Sequence, residues 1–272
     1  MPEARLVTAV ALYGPKTGEF RRLLKTVQGI CRQRLGDAFR PYTLEQIHGT
    51  VIRLDGLPGP AGAGPAGAAP VNQRWLEHTG TARAMDLPRA LDILAAGFTP
   101  PVRVQVGGFR PGAPAAFASR GQTPYERMFS AQGDALVLVG WPVSTVAHGL
   151  SRRPLDELRH RMAQAGVWHW YHDSPQDVDN DLHLVIGHCA GAPAREGAPA
   201  GDLAGTAGAV RDYLAGHPAE VDVGADQITI IASDSPTLAP ATFAARLPAD
   251  PAAVEGLYRP SRRAARLRRY RC

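Results

Sequence analysis

The chain has 272 residues, 44% of them hydrophobic and 20% charged, which reads as an ordinary soluble globular protein able to bury a full core. No apolar run approaches the ~18 residues needed to span a bilayer, and the start "MPEARLVTAVALYG" lacks a basic segment leading into a sustained apolar one. No membrane contact is expected, and a cytoplasmic location follows. The net charge of +5 is unevenly placed: "RPSRRAARLRRYRC" (259–272) holds seven arginines and no acid, so residues 1–258 sum to +5 − 7 = −2. Such a basic tail suits contact with a polyanion or simple solvation.

In chain order, "RLVTAVALY" (5–13) is β-branched and apolar, as a buried strand is. In the next segment Phe20, Leu23, Leu24, Val27, Ile30 and Cys31 recur at helical spacing, with Gly36 as a stop. "YTLEQIHGTVIRLDG" reads as the second strand and runs into "GLPGPAGAGPAGAAP", so 56–71 is expected to be a flexible Gly/Ala/Pro loop. Asp86 and Pro88 open a short helix over 86–96. A strand over 102–109 follows, then a hairpin about Gly133-Asp134 and an amphipathic helix stopped by Gly166. "LHLVIGH" (182–188), a helix near 203–216 and a strand over 226–235 complete the order. Strands and helices mixed in this way give an α+β fold with a mixed or mostly antiparallel sheet.

Two of these strands carry a histidine in the same frame. In His48-Gly49-Thr50 the imidazole and the hydroxyl project to one face; in His183-Leu184-Val185 the partner position is valine. Two imidazoles across a cleft suit displacement at phosphorus, one taking a proton from the nucleophile and the other giving one to the leaving oxygen. A hydroxyl beside them donates to phosphate oxygens that gain charge in the transition state. His183 and His188 are five apart, so alternation sends them to opposite faces and no shared metal ion is expected. "WHWYH" (168–172) suits stacking a base or packing as a turn, and His169 and His172 give no separate signal. The cysteines Cys31, Cys189 and Cys272 are odd in number and far apart, as reduced thiols are.

The pair resembles the two H-x-[ST]-x motifs of the 2H phosphoesterase superfamily, whose bacterial branch includes the so-called 2′-5′ RNA ligases. "HGTVIRL" (48–54) is similar to the first motif and "HLVIG" (183–187) to the second, with Val185 where the family has threonine or serine. "LRHRMAQAGVWHW…DLHLVIG" and "ADQITIIASDSPTLAP" are similar to the family's helix before the second motif and to its last strand. The resemblance implies one bilobal domain over 1–258, two pseudo-symmetric α+β lobes around a central cleft with one motif on each. It implies a phosphodiesterase that needs neither metal nor cofactor and acts on a 2′,3′-cyclic phosphate, a 2′-5′ linkage or a related nucleotide or RNA end. His48 and His183 would be the acid/base pair and Thr50 the phosphate anchor. With Val185 lacking a hydroxyl, Arg120, Tyr125 and Arg127 of "SRGQTPYERMF" are the candidate replacement donors, or else ordinary loop residues. The alternative is a weak or inactive protein that binds RNA or nucleotide on the same scaffold.

Overall fold

The computed structural model describes residues 6–57, 69–174, 176–189, 202–233 and 243–258. The basic tail read over 259–272 lies outside them. Strand β1 (Leu6–Ala11) leads into helix α1 (Gly18–Leu35), whose Phe20, Leu23, Leu24, Val27, Cys31 and Leu35 make one buried stripe at helical spacing. After β2 (Phe39–Pro41), β3 begins only at Gly49 and runs to Arg53. The strand expected from Tyr42 onward is interrupted because Thr43 and Gln46 bond each other's backbone N–H with their side chains, closing a turn. β4 (Gly56–Leu57) and β5 (Val71–Asn72) pair with each other, so the two ends of the expected loop over 56–71 are a ladder. Its middle, residues 58–68, lies outside the described residues.

Helix α2 (Gln73–Thr79) starts where the Asn72 side chain accepts Trp75 N–H, and α3 (Leu87–Gly97) where Asp86 accepts Arg89 N–H with Pro88 in the first turn. Strand β6 (Val102–Val106) and the short helix α4 (Pro124–Arg127) precede the hairpin β7 (Phe129–Gln132) and β8 (Ala135–Pro142). Helices α5 (Val143–His148) and α6 (Pro154–Arg161) follow, the latter prolonged by a 3-10 turn to Gly166, whose φ of 74° lets the chain reverse. Then come β9 (Leu182–Cys189), α7 (Leu203–Gly216), β10 (Ala219–Val223), β11 (Ile228–Ser233), β12 (Phe243–Arg246) and α8 (Pro251–Gly256). The fold is α+β, with eight α-helices among the described residues.

Ten strands form one sheet in the order β10-β6-β8-β9-β3-β1-β11-β12, with β2 added beside β9 and β7 beside β8. Every described pairing is antiparallel. Helix α1 packs on α7, β2, β9 and β10, while α3 packs on α6 and α8. Cys31 and Cys189 are free thiols buried in the core. No described helix is long and apolar enough to cross a membrane.

The join between the two histidine strands is tight. Gly49 faces Leu184 across the β3–β9 ladder, and a Cβ at Gly49 would stand 2.5–2.9 Å from three carbons of the fully packed Leu182 side chain. Gly49→Ala is therefore expected to cost about 1–3 kcal/mol by overpacking. A urea titration would read it as a lower midpoint at unchanged slope.

Candidate functional site

The ladder aligns Thr50 directly with His183, so the hydroxyl and the imidazole stand on one face of neighbouring strands. His48 lies one residue before β3, ahead of the paired register. Two β-bulges then decide which other side chains join this face. Between Ala9↔Ile52 and Val10↔Thr50 the register slips by one residue, which turns Arg53 to the same side as Thr50. Between Leu136↔Gly187 and Val137↔Val185 a second slip brings His188, opposite Ala135, to the side of His183 and Val185. Strict alternation had put His183 and His188 on opposite faces; the extra residue at the bulge reverses that parity. His188 there meets the Tyr42 hydroxyl at 2.8 Å and Asp134 at 3.2 Å.

A cavity of about 220 Å³ opens over this face, lined among others by Thr50, Arg53, Arg159, His169, His183 and Val185. That is below the roughly 300–1,000 Å³ of sites enclosing a drug-sized ligand, so it fits a phosphate-sized group with the rest of a larger molecule outside. His183 is fixed from one side. Arg127 Nη2 donates to its Nε2 at 3.0 Å, and Asp181 Oδ2 stands 3.4 Å from the same nitrogen. Nε2 accepts from Arg127 in the neutral ring, whereas in the imidazolium it carries a proton that Asp181 accepts. Asp181 is itself held by Ser119 Oγ, Trp141 Nε1 and Arg127 Nη2. Burial pushes its carboxyl up, but the bond and charge of His183 and the Ser119 hydroxyl outweigh that and hold it below its ordinary value.

His48 is 6% exposed and is not part of the cavity lining. Its Nδ1–H donates to the Gln46 carbonyl at 2.6 Å, which leaves Nε2 without a proton. Burial lowers its pKa first of all; the Gln46 carbonyl opposes this and the Lys16 ammonium adds to it. Lys16 is nearly buried and donates to the carbonyls of Gly14, Glu45 and Ile47, so one cation braces the segment leading into His48. Desolvation brings that ammonium down to about 8.

The chain matches no protein-family model and no curated protein. Of the three candidate replacement donors, only Arg127 touches His183. Arg120 pairs with Asp179 at 3.2 Å, lies over the Tyr171 ring and lines a second cavity of about 140 Å³ on the far side of Asp181. Tyr125 donates its hydroxyl to Asp212 on α7, away from either cavity. Thr50 and Val185 both line the larger cavity.

The residues that sequence reasoning passed over are Arg53, Arg159, His169, Asp179 and Asp181. The alternation Asp179-Asn180-Asp181-Leu182-His183 carried a signal, since it aims both carboxylates to the side of His183. Arg159 carried none. His169 Nε2–H donates to Asp179 Oδ2 at 2.9 Å, while its Nδ1 is buried without a hydrogen bond. Burial and the Arg159 charge bring its pKa from 6.5 down to about 3, against the pull of Asp179. For Asp179, burial pushes up, but Arg159, His169 and His183 hold the carboxyl far below the carboxylate range.

These shifts give acid lability a direction. In the unfolded chain His169 takes up a proton near pH 6.5, whereas in the folded chain it stays neutral until about pH 3. Stability from the buried neutral ring is present above pH 6.5 and is lost as the pH falls toward 3, on the order of 5 kcal/mol in all. Asp179 adds a further loss below its unfolded pKa of 3.8. His169→Gln, which keeps a donor for Asp179, is expected to flatten the fall of Tm between pH 6.5 and 4. Parallel melting curves for the two proteins across that range would contradict the assignment.

Proposed function

We propose that the chain is a 2H-type phosphodiesterase that hydrolyses a 2′,3′-cyclic phosphate, a 2′-5′ linkage or a related nucleotide or RNA end. The observation that carries this reading is the Thr50–His183 register, which unites the two motifs at the junction β3–β9. Along the main path of the sheet, four strands stand on either side of that junction, β3-β1-β11-β12 and β9-β8-β6-β10, with β2 and β7 added on the β9 side and one motif at the innermost strand of each set. Two pseudo-symmetric lobes meeting at a motif-bearing seam account for this arrangement.

In the proposed reaction a water attacks phosphorus and the bond to the 2′ or 3′ oxygen breaks. His48, held neutral with Nε2 unprotonated, is assigned the water's proton, which requires its ring to open onto the cavity whose lining it does not join. His183, as the imidazolium with its Nε2–H facing Asp181, gives its Nδ1 proton to the departing oxygen and is left neutral. Thr50 donates to a non-bridging oxygen, and Arg53 and Arg159 on the cavity wall set a positive field for the phosphate. Chemistry of this kind draws on side chains alone.

Val185 favours the second reading, a slow enzyme or a binder of nucleotide or RNA. Both are tested together by incubating the purified chain in EDTA with 2′,3′-cyclic mononucleotides, 2′-5′ dinucleotides and cyclic-phosphate RNA ends. A phosphodiesterase releases the monoester or mononucleotide. Val185→Thr restores a donor worth about 3 kcal/mol in comparable oxyanion sites, so its rate should rise by up to about 10²-fold. Absence of turnover in both proteins, with nucleotide still bound, would leave only the binder.

A further inference from the structure

Behind the cavity, α6 and the loop after its 3-10 turn gather a second set of polar side chains that the reaction above does not use. Asp156 and His160 are one turn apart on the same face of α6, and His172 comes down on them from the loop. We propose that Asp156, His160 and His172 bind one divalent transition-metal ion of the zinc class. This inference stands apart from the phosphodiesterase reading.

One potential donor atom from each residue lies within 4.8 Å of the other two. Asp156 Oδ1 is 3.2 Å from His172 Nε2 and 3.5 Å from His160 Nδ1. Bonds of about 2.0–2.1 Å at a tetrahedral ion put neighbouring donor atoms roughly 3.3–3.4 Å apart, so the Asp156–His172 edge is near the length a metal requires, while His160 Nδ1 must give up its 3.0 Å bond to the Asp156 carbonyl. The two imidazoles are stacked, centroids 4.2 Å apart and planes 28° apart, so binding one ion requires a ring to turn until its in-plane lone pair points at it. Two imidazoles and a carboxylate are a borderline donor set of the kind zinc takes.

A second observation is independent of this spacing. His172 is 3% exposed and Asp156 1%, yet His172 Nε2 and Asp156 Oδ2 are shielded from water without a hydrogen bond of acceptable geometry. Arg153 Nε approaches Oδ2 at 3.4 Å from a largely solvated side chain, and the His169 ring stands 4.7 Å from that of His172. Buried polar atoms in a native protein generally have partners, and an ion on the Asp156 carboxylate would supply one to His172 Nε2. The same Asp156 Oδ1 also accepts Asp179 N–H at 2.8 Å, which orients the carboxylate. The ion would tie the 169–179 loop to α6 and, through Asp156 and Asp179, brace the chain entering β9. Three protein ligands leave a fourth position open on the side of the half-exposed His160.

The test uses the full chain, stripped with EDTA, and metal alone. Calorimetric titration with Zn²⁺ should give one ion per chain, Co²⁺ should give visible ligand-field absorption, and Zn²⁺ should raise the melting temperature. His172→Phe and Asp156→Asn, the latter keeping an acceptor for Asp179 N–H, should each weaken binding beyond the roughly 10–100-fold that outer-shell changes cost, and should abolish the cobalt bands. If Asp156→Asn loses its cooperative melt, His172→Phe and His160→Ala decide. No saturable binding at one equivalent, or His172→Phe binding within about threefold of the parent, overturns the site. Since no nucleotide is present, neither result bears on turnover.

Discussion

His183→Ala is expected to reduce turnover of a 2′,3′-cyclic phosphate by about 10²–10⁴-fold, with a smaller change in KM. The residue is part of the cavity wall and reaches its neighbours through one ring nitrogen, so its loss removes the proposed proton donor and little packing. His48→Ala should cost a similar factor. The double variant should lose hardly more than either single one, because both rings serve a single proton-transfer step. The pH profile separates chemistry from damage to the fold. His48 must be neutral to act as base, and its lowered pKa puts the ascending limb of kcat/KM below pH 6.5. Lys16→Met removes the cation beside it and should move that limb upward. Wild-type rates in either single histidine variant, folded by circular dichroism, would remove the acid/base assignment.

The largest loss of stability is expected from Arg159→Met. This guanidinium is 3% exposed and donates to four carbonyls: Val51 at 2.9 Å, Asp179 at 2.7 Å, Thr50 at 3.2 Å and Asp181 at 3.0 Å. It also pairs with the Asp179 carboxylate at 3.4 Å. Methionine fills much of the volume but takes the guanidinium from four carbonyls and leaves the buried Asp179 carboxylate to His169 and Arg120, a change that costs about 3–5 kcal/mol. For a chain of this size that lowers Tm by roughly 10 °C. Arg159→Lys should recover only part of it, since an ammonium cannot reach both β3 and the 179–181 segment as the planar fork does. A calorimetric Tm within about 2 °C of the parent would show that the clamp contributes little. The same residue ties Thr50 to the strand of His183, so the surviving fraction of Arg159→Met should also bind nucleotide more weakly.

Local features of the chain were legible without coordinates. The stripe Phe20–Cys31, Asp86 before Pro88, the Gly133-Asp134 hairpin and the stop at Gly166 each state their structure through spacing, capping or turn chemistry among near neighbours. The likeness of His48-Gly49-Thr50 to His183-Leu184-Val185 is a feature of the sequence, while the alignment of Thr50 with His183 came from the ladder. Other features depended on pairing between distant segments. The bulges that turn Arg53 and His188 toward the cavity side arise from register against β1 and β8, and a one-residue slip reverses every parity argument beyond it. Arg159 reads in sequence as one more polar residue of an amphipathic helix; only folding brings carbonyls from 108 residues away to its guanidinium. Asp156, His160 and His172, like His169 and Asp179, met for the same reason. Burial and charge act through space, and alternation along a strand cannot foretell which distant dipoles will surround a side chain.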